Sequence, residues 1–496
     1  MAILNDKALL SEIINANEFR DLLKEEIQQY IGGEIQSQLP YPLDDEIVGL
    51  VTRLRDTGIA NDKTDLPYSK VEDLNTLWTV LITKSIQCLR LFDTREPFKE
   101  NPTKTIVAYY IDELEKYYKD YVGFESLLYG ANAKYRDHIL HVFRTWLIGL
   151  YVIAKLDFKV NGLDGLEEGW ESLGKLTNCE KISMWTIIAF CHDLGYPLEK
   201  ANEIVSATQS MMQKIVTNSK ITADFSFETM QTSRIGHILS FMSTKLKPYE
   251  ESNSTRKRFN GRIQSKYHYK LTKSLEENNH GVVSAIIIYS ILLYFNESDF
   301  NLNDDYLYDE EDARQFYIRR EILRSIAAHT CPDIYNVNIA TFSSLLYICD
   351  EIQNWGRKNW HSLYFAQELD ESKAEINAFS TKEISYTEYI SLEEKAEIKQ
   401  FVHYMFFRQY DKYKKKFRDG QHSAKRSFDI VNKVVCKKVI PNQVAQPKVE
   451  ITISIKGNNN KDTFEVKYIG CGVDILSSED VKGSLFEHEF EAKIEN

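Results

Sequence analysis

The sequence predicts a mainly α protein with a small α+β appendage at its C-terminal end. Apolar residues recur at spacings of three and four along most of the first 360 positions, which is the periodicity of a helix with one buried face. Strand-like alternation is scarce until residues 447–470 change character. There Val449-Glu450-Ile451-Thr452-Ile453-Ser454-Ile455 and Thr463-Phe464-Glu465-Val466-Lys467-Tyr468 alternate strictly around a Gly457-Asn458-Asn459-Asn460 turn, a β-hairpin pattern.

In chain order, the spacing predicts helices over Leu9 to Tyr30, Asp44 to Arg55, Val71 to Phe92 and Thr105 to Tyr121, punctuated by Pro40-Tyr41-Pro42 and Glu96-Pro97. No catalytic constellation falls in this stretch, which reads as a scaffold or an oligomerisation surface. A long helix follows over Tyr135 to Lys155, then Met184 to Cys191, then Leu198 to Thr217 and Arg234 to Leu246. His280 opens a strongly apolar helix through Phe295. Asp312 to Ala328 ends in His329-Thr330 with Pro332 as a stop, and Phe342 to Trp355 carries Asp350-Glu351. Beyond about residue 360 the chain turns polar, with helices expected at Ser391 to Phe407 and near Phe428 to Lys438 and a basic run over Lys412 to Arg418 that reads as a solvated face. The organisation is therefore a helical N-terminal region (1–125), a chemistry-bearing core (126–360) and a C-terminal region of helices and a hairpin (361–496).

At about 150 residues per domain, 496 residues allow two to four domains. Hydrophobic content of 43% and charged content of 27% are ordinary for a globular protein. The net charge of −12 argues against stable binding to nucleic acid, which needs a basic face, but leaves room for a local basic pocket. The seven cysteines form no CxxC pair, and Cys191 and Cys349 lie in apolar runs, as in a reducing cytoplasm. The start Met1-Ala2-Ile3-Leu4-Asn5-Asp6 lacks the basic and apolar regions of a signal peptide. The apolar stretch from Val282 to Phe295 is too short to span a membrane. A cytoplasmic protein with no membrane segment is expected.

The chemistry centres on Ile187-Ile188-Ala189-Phe190-Cys191-His192-Asp193-Leu194-Gly195-Tyr196-Pro197. An imidazole and a carboxylate sit where a buried helix meets a turn supplied by Gly195 and Pro197. Adjacent helical side chains diverge by about 100°, so the backbone must turn for both to serve one ion. The carboxylate could bridge two. Around this pair, His138 and His141 are three apart on the helix beginning Tyr135-Arg136-Asp137. His280 and His329 sit at the ends of apolar helices, and Asp350 follows five apolar residues. An acid on a buried face must be paired or ligate a metal. His141, His192, Asp193, His280, His329 and Asp350 together offer four imidazoles and two carboxylates for one or two divalent ions, with Mn, Mg, Fe, Co, Ni or Zn all compatible. Such a site generates hydroxide at neutral pH and neutralises phosphoryl charge. The run Ser254-Thr255-Arg256-Lys257-Arg258-Phe259-Asn260-Gly261-Arg262 reads as a solvated loop or as a lid that neutralises a polyphosphate, through Arg256, Lys257, Arg258 and Arg262.

The order His…His-Asp…His…His…Asp on helices resembles the HD-domain superfamily of metal-dependent phosphohydrolases, over about residues 135–357. The resemblance implies an HD-type helical bundle with His141, His192, Asp193 and Asp350 as core ligands. It assigns His280 and His329 as the extra histidines of two-metal members, so that His192, Asp193, His280 and His329 carry catalysis. His141-x-x-Arg144 is similar to the family's first motif, which gives Arg144 a role in orienting the site or meeting phosphate. His192-Asp193-Leu194-Gly195-Tyr196-Pro197 resembles the His-Asp-x-Gly-His-Pro of deoxynucleoside triphosphate triphosphohydrolases, with Tyr196 replacing the histidine. The extra histidines instead resemble cyclic-nucleotide and cyclic-dinucleotide phosphodiesterases. His280-Gly281-x-x-Ser284-Ala285 and Asp350-Glu351-Ile352-Gln353-x-Trp355-Gly356-Arg357 are similar to a bacterial HD branch found with signalling or defence modules. The resemblance favours hydrolysis of dNTPs to deoxynucleoside and triphosphate, with a role in antiphage nucleotide depletion, in a homo-oligomer open to a nucleotide effector. The alternatives are phosphodiesterase chemistry and a metal-containing nucleotide sensor without turnover.

Overall fold

The computed structural model describes residues 3–32, 41–57, 71–93, 111–131, 135–156, 175–215, 229–249 and 257–357 (without 299, 304, 335, 336 and 338–340). It also describes the strands at 373–379, 383–389, 433–439, 448–454 and 463–469. Strand β1 (Ile3–Leu4) leads into helices α1 (Asp6–Ile14), α2 (Asn17–Ile31), α3 (Asp45–Thr57), α4 (Val71–Leu91), α5 (Ile111–Ala131), α6 (Ile139–Lys155), α7 (Asn178–Cys191), α8 (Tyr196–Gln213) and α9 (Thr229–Ser243). The hairpin β2 (Thr244–Tyr249) and β3 (Arg258–Ile263) precedes α10 (Ser265–Glu276), α11 (His280–Ile291), α12 (Glu310–Thr330) and α13 (Phe342–Ile352). The remaining strands are β4 (Lys373–Phe379), β5 (Glu383–Tyr389), β6 (Lys433–Val439), β7 (Lys448–Ser454) and β8 (Thr463–Ile469). The protein is mainly α, as its periodicity predicts.

Helix α7 organises the packing. Every residue from Cys179 to Cys191 except Lys181 is buried, and a helix apolar nearly all round is stable only inside a core. It begins with a capping box in which the Thr177 hydroxyl accepts from the Glu180 N–H while Glu180 reaches back to the Thr177 N–H. Helices α2, α4, α6 and α12 pack against it. Three tryptophans knit these contacts. Trp185 donates to the Trp146 carbonyl at 3.0 Å, Trp146 to the Thr186 hydroxyl at 3.1 Å, and Trp78 to the Phe190 carbonyl at 3.2 Å. The last bond occupies a carbonyl that the helix end would leave orphaned.

One continuous hydrophobic core runs from Leu4 through these helices to Tyr386 on β5. The N-terminal helices therefore share the core of the chemistry-bearing region, and the boundary expected at residue 125 falls inside α5. Three sequence expectations about elements are corrected. The single helix over Leu9 to Tyr30 is two, parted at Asn15 and Ala16, where the Asn15 backbone closes α1 onto Ile13 and Ser11. The helix expected to reach Leu246 ends at Ser243, and Thr244–Tyr249 pairs antiparallel with Arg258–Ile263. Thr244 and Leu246 are buried there while Lys247–Tyr249 are exposed, and so short an alternation is masked by the helix before it. The segment expected as a helix near Phe428 to Lys438 contains β6. Its Val434, Val435 and Val439 are β-branched residues that favour strands. The helix expected over Ser391 to Phe407 and the basic run from Lys412 to Arg418 lie outside the described residues.

The expected hairpin is present as β7 and β8, antiparallel from Lys448↔Ile469 to Ser454↔Thr463. It belongs to a larger sheet of order β1-β4-β5-β6-β7-β8, in which β5 and β6 run parallel and the other neighbours antiparallel. The strand at residues 3–4 thus ties the beginning of the chain to its C-terminal sheet through β4. No described helix is long and apolar enough to cross a membrane.

Candidate metal centre

His192 closes α7, and the chain turns sharply through residues 193–195 into α8. A single side chain from α11 holds this turn. The Ser284 hydroxyl donates to the His192 carbonyl at 2.7 Å and accepts from the Gly195 N–H at 2.7 Å. Gly195 lies so close to α11 that a Cβ would fall on the His280 carbonyl oxygen, the Val283 Cβ and the Ser284 N. Two of those atoms are rigid backbone. Gly195→Ala should therefore push α11 and His280 away from Asp193 and weaken divalent-metal retention about ten-fold or more, comparable with loss of a ligand-orienting contact. Equilibrium dialysis with Mn²⁺ checks this; unchanged retention would count against the close packing as the reason for glycine.

Four imidazoles converge on Asp193. His192 Nε2 lies 3.3 Å and His141 Nε2 3.9 Å from Oδ2, whereas His280 Nε2 lies 3.2 Å and His329 Nε2 3.6 Å from Oδ1. Asp350 Oδ1 meets His141 Nε2 at 2.8 Å. Each ring is oriented from behind through Nδ1. His192 uses the Ala189 carbonyl at 2.7 Å, His329 the Ile326 carbonyl at 2.5 Å, His141 the Gln353 Oε1 at 2.5 Å and His280 the Glu199 carboxylate at 2.5 Å. The Gln353 amide nitrogen donates to the Trp355 carbonyl, which leaves its oxygen for the histidine. All four partners are acceptors, so each Nδ1 carries a proton, and in the neutral ring Nε2 presents its lone pair to the cluster. Such backing is what metal-ligating histidines use.

The donor set fits a divalent ion. His192 Nε2 and His329 Nε2 are buried without a hydrogen bond, a cost that a cation would remove. The Nε2 lone pair of His141 faces the Asp350 carboxylate at 2.8 Å, an acceptor–acceptor contact that calls for a positive charge between them. Ligands about 2.1 Å from one ion lie about 3.0–3.4 Å apart, and the His280 and His192 spacings to Asp193, 3.2 and 3.3 Å, fall inside this range. Ligand atoms of His141, His192 and Asp350, and of His192, Asp193 and His329, lie within 4.8 Å of one another. These buried groups could hold a metal ion. His280 reaches Asp193 but lies outside both mutual sets.

The side chains of His192, His329 and His141 are 0%, 1% and 2% exposed, against 14% for His280 and 32% for Asp350, so the cluster is closed on the α7 side and opens past Asp350. Burial opposes charge on Asp193, but His192, His280 and His329 outweigh it and hold the carboxyl well below the usual range. Asp350 is lowered in the same way, with His141 as the principal partner. Burial pushes His141 and His329 down towards the neutral form that coordinates. His280 is lifted to about 9, because Asp193 and Glu199 on its two sides overcome its burial.

Other expected site residues fall elsewhere. Arg144, expected to orient the site or meet phosphate, is fully enclosed, with Nε and Nη2 on the Asp6 carboxylate at 2.8 and 2.7 Å and Nη1 on the Trp355 carbonyl at 3.3 Å. A buried guanidinium needs its carboxylate, so the phosphate-binding part of that expectation is corrected. Of the basic run, Arg256 lies outside the described residues. Lys257, Arg258 and Arg262 lie at or on β3, so this part is a strand and not a loop, and Phe259 is buried against Tyr308. His138 precedes the first turn of α6 instead of sharing its face with His141, and its ring packs on Tyr196 at 4.0 Å. Glu199 and Ser284 are contributors that periodicity does not single out. Glu199 follows a proline in an ordinary polar first turn, and only α11 packing on α8 gives it a role.

Beside the cluster, Glu125 and Asp137 are both fully buried. The Tyr135 hydroxyl and the His138 N–H donate to Glu125 Oε1 at 2.8 and 2.7 Å. Burial, reinforced by Asp137, raises the Glu125 carboxyl to about 8. The folded state thus holds this proton more tightly than the unfolded chain does. The stability it contributes is full below the unfolded value of 4.5 and is lost as pH rises towards 8. Glu125→Gln, which mimics the protonated acid, should lose less stability than the parent between pH 5 and 8, as read by urea unfolding at both pH values. A parallel loss in the two proteins would contradict a protonated Glu125.

Comparison with protein-family models, curated proteins and solved structures finds no match to this chain.

Proposed function

We propose that the chain is a metal-dependent phosphohydrolase acting on nucleotides, with dNTPs cleaved to deoxynucleoside and triphosphate. The observation that carries the reading is the convergence of four backed imidazoles on Asp193, two of them with buried, unsatisfied Nε2 atoms. The choice of nucleotides rests on the resemblance of this His…His-Asp…His…His…Asp order to HD phosphohydrolases. His141, His192, Asp193 and Asp350 would hold one divalent ion, and His280 and His329 would join Asp193 in holding a second. Bound there, a divalent ion supplies a Lewis acid for phosphoryl oxygens and acidifies water at neutral pH. The chain's own part is to fix ring orientation through Gln353, Glu199 and two backbone carbonyls, to exclude water on the α7 side, and to leave the Asp350 side open to substrate.

Phosphodiester hydrolysis of a cyclic nucleotide is a second reading, favoured by the placement of His280 and His329 together on Asp193 Oδ1, opposite the two histidines on Oδ2. Incubation of the Mn²⁺-loaded protein with dNTPs, NTPs and cyclic mono- and dinucleotides, with chromatography of the products, tests both. Intact triphosphate plus nucleoside is the expected result. Linear monophosphate from a cyclic substrate would select the second reading. Stoichiometric metal with no product from any nucleotide would reject turnover and leave a sensor.

A further inference from the structure

Three arginines come close to the start of α6: Arg136, held by the Asn354 carbonyl and side-chain oxygens, Arg144 and Arg357. Arg144 is enclosed by Asp6 and Trp355. Arg357 follows Trp355-Gly356 at the end of α13. Gly356 has φ +64°, and a Cβ on it would strike the Arg144 guanidinium at 2.7–2.9 Å. Only glycine lets the chain turn here, and the turn carries Arg357 back to the entry of α6.

There the Arg357 Nε–H donates to the Asp137 carbonyl at 3.0 Å. The neighbouring His138 packs at a tilt of 31° on Tyr196 at 4.0 Å and lies 6.0 Å from His141, both distances measured between ring centroids. Among the described residues, Nη1 and Nη2 of the half-buried Arg357 have no hydrogen bond or ion pair, and neither has the Tyr196 hydroxyl. A planar guanidinium held by one nitrogen, with its two outer nitrogens unused, is preorganised for the paired oxygens of a phosphate group.

We infer that Arg357 is the anion-binding residue of this site: Nε stays on the Asp137 carbonyl, and Nη1 and Nη2 take two oxygens of a substrate phosphate presented to the Asp193 cluster. The assignment rests on the phosphohydrolase reading and gives to Arg357 the role that sequence resemblance gives to Arg144. It predicts that substrates are anionic phosphate esters or polyphosphates with at least one phosphate bearing two free oxygens.

The test is calorimetric titration of inorganic phosphate into Mn²⁺-loaded, desalted full-length protein, with metal content measured first. Arg357→Gln should bind phosphate about ten-fold or more weakly, the loss of one charge-assisted contact, with unchanged metal stoichiometry and melting temperature. Arg357→Lys, which keeps the charge but not the fork, should bind several-fold more weakly than the parent and carries the test if the glutamine variant misfolds. Parent-like phosphate affinity in a folded, metal-loaded variant would overturn the assignment. So would a metal-loaded parent that binds no phosphate, although the metal centre would then still stand. A parent that retains no metal would overturn the phosphohydrolase reading and this assignment with it.

Discussion

Asp193→Ala is expected to leave the purified protein without retained divalent metal, and the hydrolysis proposed for it at background. Asp193 is the one side chain that all four cluster imidazoles approach, at 3.2–3.9 Å. Its removal takes away the carboxylate that the proposed function places in both ion positions and leaves imidazoles of like polarity facing one another. Metal analysis after desalting reads the first effect, and the nucleotide incubation reads the second. Glu199→Gln supplies a graded comparison. It leaves every ligand in place and weakens only the acceptor behind His280 Nδ1, so metal affinity should fall about 10–100-fold without being abolished. Full metal occupancy in Asp193→Ala would show that metal is held without Asp193 and would overturn its place at the centre of the site.

Asp6→Ala should cost about 3–5 kcal/mol of folding stability, the range for breaking one side of a buried ion pair. Asp6 and Arg144 are each about 1% exposed, and Asp6 Oδ1 also lies 3.2 Å from the Trp355 indole nitrogen, which donates to it. The variant would strand a buried guanidinium. Replacing both partners, as Asp6→Ala with Arg144→Met, should recover part of the loss, because no guanidinium is then stranded, while the Trp355 indole N–H still lacks its acceptor. Urea unfolding of the two single variants and the double variant decides this; additive losses would contradict a coupled pair. The same contact bears on the metal centre. Arg144 is one turn beyond His141 on α6, and Trp355 is two residues beyond Gln353, which orients His141. Asp6→Ala should therefore also weaken metal retention, although Asp6 touches no ligand.

The helical fold was legible because burying one face imposes a spacing that survives in the sequence: α3, α4 and α12 appear within a few residues of their expected bounds. The histidines and acids of the cluster were legible because charged or polar groups at the ends of apolar helices need a reason to be there, and folding brings the six together around Asp193. What the sequence by itself determined is thus the helix register and the residue types available for chemistry. Only the tertiary structure decided their partners. Glu199, Ser284 and Gln353 act across helix–helix contacts 81, 92 and 212 positions from the residues they hold, distances at which local periodicity carries no information. Arg144 and Arg357 look alike as sequence, each near a candidate ligand. The buried carboxylate of Asp6 satisfies the first, while a glycine turn leaves the outer nitrogens of the second without a partner among the described residues. Packing, which sets what each charge meets once water is excluded, separates them.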